Sequence, residues 1–294
     1  MSLKQDLQTR DNLELVAGQS WKHGRRAILE RGMAYYDRHP DDVARVRDNM
    51  AAVGLDHSDE SVRSALEGIV VHYFEKFFVM TKNFEAHWIV ENRILTGGAL
   101  APLEKAREEG RGVFIGQSHF GGTYLLVPTL ITAGVDMSFV GSFPGPVYRM
   151  LAANIDAYAD RWSTGRATIV NVAGEGTTVA ENMIGSLLAR EVVMNVFDEN
   201  NAFSREVRFL GRTLWGGSGM DRILSRMDPA KISVMTAFAV RLDDERFRIE
   251  LDEHDPAAGD VIQQMFDSLA RRVADHPEQW YFLQELHHSL GPVG

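Results

Sequence analysis

The sequence predicts an α/β fold, with a mainly parallel central sheet flanked by helices and a helical part in front of it. Two observations carry the prediction. From residue 102 to 197, short apolar runs alternate with helix-patterned segments of about ten residues, the rhythm of parallel strands joined by helical crossovers. Before residue 98, apolar residues recur only at helical spacing. We therefore divide the chain into a helical part over 1–98 and an α/β core over 99–294, packed as one compact domain.

Taken in order, Trp21, Ala27, Ile28, Met33 and Tyr36 fall between charges at three- to five-residue spacing, one face of an amphipathic helix. His39-Pro40 breaks it. Asp41-Asp42 opens the next helix with negative charge at its positive end. Ser58-Asp59-Glu60-Ser61 starts a long helix through Val62, Leu66, Ile69, Val70, Tyr73, Phe74 and Phe77, whose aromatic stripe reads as core. After Gly97-Gly98 the pattern changes. Strands are expected at Gly112 to Gln117, Met137 to Val140, Thr168 to Val172 and Val192 to Phe197. Helices are expected at Pro102 to Glu109, Leu125 to Ala133, Val147 to Tyr158 and Val179 to Ala189. Lys231 to Val240 and Arg246 to Asp252 read as a later strand pair around Asp243-Asp244, followed by two C-terminal helices.

Composition excludes several functions. A formal net charge of -10 over 294 residues disfavours nucleic-acid binding and loose adhesion to anionic lipid. There is no cysteine, which removes disulfides, thiolate nucleophiles and Cys-based zinc sites and makes the cytoplasm the expected compartment. The first twenty residues lack the basic start and apolar stretch of a signal peptide. No window approaches the roughly 18 apolar residues of a membrane span. The expectation is a soluble protein with at most peripheral membrane contact, and no metal or cofactor.

Chemistry is expected beyond the C-terminal ends of parallel strands, where doubly wound sheets bind ligands. The segment Gly112 to Tyr124 places His119 there, after a buried strand and before a helix, with Ser118 beside it. Gly121 and Gly122 would allow close backbone approach, and N–H groups near them could hold an anion or an oxyanion. Asp198 stands at the end of another strand, where it either orients His119 or caps a helix. Arg149 is either an anion ligand or a surface arginine. Arg205, Arg208, Arg212, Arg222, Arg226 and Lys231 form a locally basic stretch in an acidic chain. The glycine-rich run around Ser218 precedes a short helix and could contact a ligand. Three other patterns are set aside. Glu175-Gly176-Thr177 lacks the flanking residues of a phosphate-binding block. Gly217-Ser218-Gly219 follows glycine rather than an apolar strand, unlike a nucleophile elbow. The adjacent His287-His288 pair has no partner at metal-site spacing.

Ser118-His119-Phe120-Gly121-Gly122 resembles the signature block of the lysophospholipid acyltransferase superfamily, particularly its lipid A (lauroyl/myristoyl) acyltransferase branch. That block is a His followed, after four residues, by Asp or Glu. Further blocks occur in the same order: Val147-Tyr148-Arg149, Val196-Phe197-Asp198-Glu199, Val207-Arg208-Phe209-Leu210-Gly211-Arg212 and Pro277-Glu278-Gln279-Trp280-Tyr281. The resemblance spans Trp21 to His288 and implies a glycerolipid acyltransferase-like fold. It also implies an acyl-carrier-protein or acyl-CoA thioester donor and a hydroxyl or amine acceptor, itself a small molecule or carrier-bound, as in secondary metabolism. His119 would be the general base, with Ser118, Gly121, Gly122, Arg149, Glu199, Gly211, Arg212 and Ser218 around the substrates.

One departure stands out. The motif's acidic position falls on Tyr124, and a phenol with an ordinary pKa of about 10 is neutral near pH 7 and cannot stabilise an imidazolium by charge. Three outcomes stay open: another carboxylate (Glu175, Asp198 or Glu199) reaches His119, the acceptor is an easier nucleophile such as an amine, or the pocket is reused. The functional alternatives are a catalytically silent acyl- or carrier-binding homologue and a thioesterase-like hydrolase.

Overall fold

The computed structural model describes residues 2–141, 145–162, 164–171, 176–217, 219–243 and 245–290, leaving aside the side chains of 83–84, 145–148, 171 and 176–178. Six helices come first: α1 (Leu3–Leu7), α2 (Arg10–Gly18), α3 (Trp21–Arg38), α4 (Pro40–Ala52), α5 (Asp59–Thr81) and α6 (Asn83–Arg93). Their starts follow the local chemistry. The Ser20 hydroxyl accepts from the His23 N–H at the head of α3, Pro40 opens α4, and the Ser58 hydroxyl caps α5 ahead of Asp59 and Glu60.

The helical α5 is buried nearly all round, from Val62 to Met80, so it is a core helix rather than a surface one. Trp21 of α3 meets Phe74 and Phe78 of α5 edge-on at 4.8 Å, and Phe247 of the sheet at 6.2 Å. One hydrophobic cluster runs from Leu3 to Leu286, so the helical part and the sheet share a core.

The α/β part then runs β1 (Ile94–Leu95), α7 (Ala101–Glu108), β2 (Gly112–Gly121), α8 (Leu126–Thr132), β3 (Met137–Gly141), α9 (Gly145–Trp162), β4 (Ala167–Asn171), α10 (Gly176–Leu188) and β5 (Val192–Val196). It continues with β6 (Arg205–Phe209), β7 (Arg212–Gly216), α11 (Met220–Leu224), β8 (Ile232–Arg241), β9 (Phe247–His254) and α12 (Val261–Asp275). Seven strands form one sheet in the order β1-β9-β8-β2-β5-β3-β4. Every pairing is parallel except β8 with β9. The expected α/β class with a mainly parallel sheet is present. Its central strands, β2 and β8, are buried almost throughout, as a sheet covered on both faces requires. Among the described residues, no helix is long and apolar enough to cross a membrane.

Three features differ from the sequence expectation. β2 does not stop at Gln117. Its ladder with β8 breaks after Gln117↔Ala237 and resumes at Gly121↔Ala239, while Phe120 bridges to Trp280. His119 therefore sits inside the strand's irregular end, not in a loop after it. Residues 205–216, read as a basic stretch, are a separate antiparallel hairpin turning on Leu210 (φ 48°) and Gly211 (φ 76°). A leucine at positive φ is a rare turn residue, so the usual Asn-Gly hairpin signal is missing. Among the described residues, α12 is the one α-helix after β9. The second expected helix is a run of 3-10 turns over 277–288, because Pro277 and the extended Trp280 interrupt it.

Candidate active site

β2 and β5 are parallel neighbours in the register Gln117↔Val196, and the Phe197 N–H extends the ladder to the Gln117 carbonyl at 2.9 Å. The residues just beyond, His119 and Asp198, are thereby placed side by side. Asp198 Oδ1 lies 2.9 Å from His119 Nδ1, and Asp198 Oδ2 accepts the backbone N–H of His119 at 2.9 Å. The Trp280 indole N–H also donates to Oδ2, at 3.1 Å. The carboxylate is fully buried, and the imidazole is 15% exposed. An ionised carboxylate only accepts, so in the neutral ring Nδ1 carries the proton and Nε2 has the lone pair facing outward. The Glu199 carboxylate, half exposed, stands 3.5 Å from that Nε2.

Burial alone would lower the proton affinity of His119. The charge of Asp198, its hydrogen bond and the charge of Glu199 outweigh burial and the opposing Lys76, so the imidazole holds its proton above the ordinary value. Around it sits an aromatic group. His72 of α5 stacks on Tyr281 at 4.2 Å and lies 5.8 Å from the His119 ring, and Phe282 lies 5.1 Å from it. Burial, then the charges of His119, Arg241 and Lys76, push His72 well below the usual range, so it is neutral. Its Nε2 is 3.4 Å from the Tyr124 hydroxyl, whose proton affinity burial raises further above that of a free phenol. Lys76, one turn beyond His72, is mostly buried, and this brings its ammonium down to about 8.

His119 and Glu199 open onto a cavity of about 1120 Å³ between the C-terminal strand ends and helices α8 to α11. Val127, Pro128, Phe139, Leu151, Ile155, Met183, Met220 and Ile223 give it a long apolar wall. Its polar groups are few: Gln117, Tyr124, Asn195 and Asn201, the carboxylates of Glu181 and Glu199, and the guanidiniums of Arg222 and Arg226. A spacious, largely apolar cavity with some polar groups in its lining is the usual form of a small-molecule site. A His–Asp pair at its edge can take a proton from a bound nucleophile and return it to a leaving group.

The structure brings some predicted residues together and separates others. His119, Asp198, Glu199 and Tyr124 converge. Ser118 is buried next to His119, and its hydroxyl has no hydrogen-bond partner among the described residues. The glycines turn out differently from the expectation of open backbone donors. The Gly122 N–H is spent on the Ala239 carbonyl at 2.7 Å, and the Gly121 carbonyl accepts from Arg241 at 2.9 Å. A Cβ on Gly121 (φ 63°) would sit 2.1 Å from the Ala239 oxygen. Both glycines serve close packing of β2 on its neighbours and line no part of the cavity. Arg149 is exposed on α9 and does not line the cavity either. Gly211 and Arg212 belong to the β6–β7 turn, outside the cavity lining. Ser218 and Glu175 lie outside the described residues. No group of three or more His, Asp or Glu side chains among the described residues is placed to hold a metal ion.

Sequence reasoning missed the supporting shell. Trp280 and Tyr281 stood in a recognised block, but nothing in the sequence said that the indole would reach Asp198 or that Tyr281 would stack on His72 and bond Tyr73 at 2.8 Å. Nor was the buried Glu75 of α5 legible. It holds Arg241 through two bonds of 2.7 and 2.8 Å, while Arg241 also grips Gly121. Gln279 exchanges two bonds with the Arg241 backbone, at 2.8 and 3.0 Å, which fixes the C-terminal turns against the end of β8. The only available sequence signal was the unusual Glu75 in an apolar stripe. No family model matches the chain, and a search of curated proteins gives no match.

Proposed function

We propose that the protein is an acyltransferase that moves an acyl group from an acyl-carrier-protein or acyl-CoA thioester to a hydroxyl or amine acceptor, with His119 as general base. One observation carries the reading: the buried Asp198 carboxylate holds His119 Nδ1 at 2.9 Å at the edge of a cavity of about 1120 Å³ with a long apolar wall. The acid that the sequence motif lacks at Tyr124 is thus supplied from the end of β5. In the proposed reaction, Nε2 takes a proton from the acceptor as the acceptor attacks the thioester carbonyl. The tetrahedral adduct then expels the thiolate, which takes that proton from His119. Asp198 keeps the tautomer and stabilises the imidazolium between the two steps. The apolar wall suits an alkyl chain, and Arg222 and Arg226 suit the phosphates of a phosphopantetheine arm. Lys76 is a cation whose charge is felt at both His119 and Glu199.

The test is incubation with acyl-CoA and acyl-carrier-protein donors of several chain lengths and a broad acceptor panel. Thiol release and acylated products are followed in the wild type and in His119→Ala. Release that depends on His119 and yields an acylated acceptor supports the reading. Release that yields only free fatty acid makes the protein a hydrolase. No His119-dependent release with any donor would leave a catalytically silent binding protein.

A further inference from the structure

We propose that Tyr124 is a catalytic residue, its hydroxyl donating a hydrogen bond to the oxyanion that forms when the acceptor attacks the thioester carbonyl. The inference rests on the acyl-transfer reading above and supplies the donor that such a reaction requires.

A tetrahedral adduct carries a negative charge on the former carbonyl oxygen, and one fixed donor at that point is worth about 10²- to 10³-fold in rate. The glycines do not provide it, since the Gly122 N–H is spent on Ala239 and neither Gly121 nor Gly122 lines the cavity. Four residues of the segment 117–124 do line it: Gln117, His119, Thr123 and Tyr124. Gln117 gives both its amide protons to Thr123, one to the carbonyl at 3.0 Å and one to the hydroxyl. The Thr123 hydroxyl gives its own proton to the Ser118 carbonyl at 2.8 Å. His119 works through the lone pair on Nε2. Tyr124 is left with the one uncommitted O–H of the four. Lys76 adds charge from α5 but does not line the cavity.

The direction of that O–H follows from His72. The neutral, buried imidazole has one N–H and one lone pair. Its Nε2 lies 3.4 Å from the Tyr124 oxygen, and its Nδ1 has no hydrogen-bond partner among the described residues. Buried N–H groups without an acceptor are rarer than unused lone pairs, so the proton sits on Nε2 and points at the phenol oxygen. Tyr124 then accepts from His72, and its own proton is directed to the cavity. Stacking on Tyr281 at 4.2 Å holds the His72 ring in place. That ring lies 5.0 Å from Tyr124 and 5.8 Å from His119, so the donor and the base flank one anchored side chain. Burial raises the proton affinity of the phenol, so Tyr124 lends a hydrogen bond and keeps its proton.

The step balances. The acceptor's proton passes to His119 Nε2 as its lone pair forms the bond to the carbonyl carbon, and the C=O electron pair moves onto the oxygen facing Tyr124. The pair then returns, the C–S bond breaks, and the leaving thiolate takes the proton from His119. Tyr124 ends as it began.

The experiment uses the full chain as wild type, Tyr124→Phe and His119→Ala, with lauroyl-CoA as donor and n-octanol and n-octylamine as acceptors. Thiol release gives kcat and KM. Titration calorimetry with S-dodecyl-CoA, a thioether that has the chain but no carbonyl, measures binding without the reacting group. The expected result for Tyr124→Phe is a kcat lower by about 10²- to 10³-fold, with KM and thioether affinity within about threefold of wild type. A kcat within about threefold of wild type, while wild-type release depends on His119, overturns the inference and leaves acyl transfer standing. A loss of kcat matched by an equal loss of thioether affinity assigns Tyr124 to packing and overturns it as well. No His119-dependent release by the wild type overturns the transfer reading itself, and this inference with it.

Discussion

Asp198→Asn isolates the charge of one oxygen pair with little change of shape. Asp198 accepts three hydrogen bonds, from the His119 backbone N–H and ring Nδ1 and from the Trp280 indole. An amide offers one oxygen and one NH2 in their place. If the NH2 faces Nδ1, the imidazole must accept there and carry its proton on Nε2, where a base needs a lone pair. If it faces the other way, it opposes two N–H donors. Either way the loss in turnover should be about 10³- to 10⁴-fold, the scale seen when a catalytic histidine is forced into the wrong tautomer. That is roughly 4 to 5.5 kcal/mol of barrier. Stability should fall by about 2–4 kcal/mol, since buried donors lose a charged acceptor. The pH dependence gives a second readout. His119 binds its proton more tightly than an exposed imidazole, so the wild type gains activity as pH rises through a value above about 6.5. Without Asp198, burial and Lys76 weigh more heavily, and the limb of the residual activity moves to lower pH. The same proton affects stability. A raised folded-state value stabilises the protein fully below the unfolded value of about 6.5, and this contribution is lost as pH rises through the folded value. The stability gap between wild type and variant should therefore be wider near pH 5.5 than near pH 9. Thiol release and urea denaturation across this range test both. A variant with turnover within threefold of wild type and an unmoved pH limb would refute the role given to Asp198.

Further outcomes follow from the same geometry. Trp280→Phe keeps a ring packed at a tilt against Phe209 but removes the indole bond to Asp198, so stability measured in urea should drop by about 1–2 kcal/mol, with a smaller activity loss than in Asp198→Asn. Glu75→Ala leaves the Arg241 guanidinium without its buried partner and should cost about 3–5 kcal/mol in the same assay, whereas Glu75→Leu with Arg241→Met should recover most of it. Leu151→Trp narrows the apolar wall. The preferred acyl donor should become shorter, with each excluded methylene costing about 0.8 kcal/mol, or roughly fourfold in kcat/KM, read from a chain-length series. Tyr124→Glu restores an acid at the motif position but buries a carboxylate where Glu199 and Glu75 already act, so thiol release should fall rather than rise.

The fold was legible where one physical pattern governed a segment. Val113 to Ile115, Met137 to Val140 and Val192 to Met194 are apolar because both faces of their strands are covered, and each was read correctly as a strand. The β6–β7 hairpin was not legible, because its turn uses Leu210 at positive φ and its arginines, Arg205, Arg208 and Arg212, read as part of a charged surface. The C-terminal turns were misread for a related reason. Leu283, Leu286 and Leu290 have helical spacing, yet the conformation there is set by distant anchors: Gln279 on Arg241, Trp280 on Asp198 and Tyr281 on His72.

The site shows the limit more sharply. His119 was found from its place at the end of a buried strand, and with Tyr124 at the motif's acidic position three carboxylates, Glu175, Asp198 and Glu199, stood as candidates to reach it, with nothing local to choose between them. In a helix or turn a short spacing brings two side chains together. In a parallel sheet the nearest neighbour is the adjacent strand, here 79 residues away in sequence. The register Gln117↔Val196 makes positions 119 and 198 neighbours; each was legible as a strand end, but their pairing had no local signal. An acid supplied from the next strand leaves position 124 free of that duty. Tyr124 can then form part of the cavity wall against His72 while the base keeps its partner. The same reasoning separates Asp198 from Glu199. Consecutive residues leaving a strand point in different directions, so one carboxylate is buried behind the imidazole and the other stands half exposed in front of it. Both negative charges raise the proton affinity of the imidazole, but only the one in front also borders the cavity.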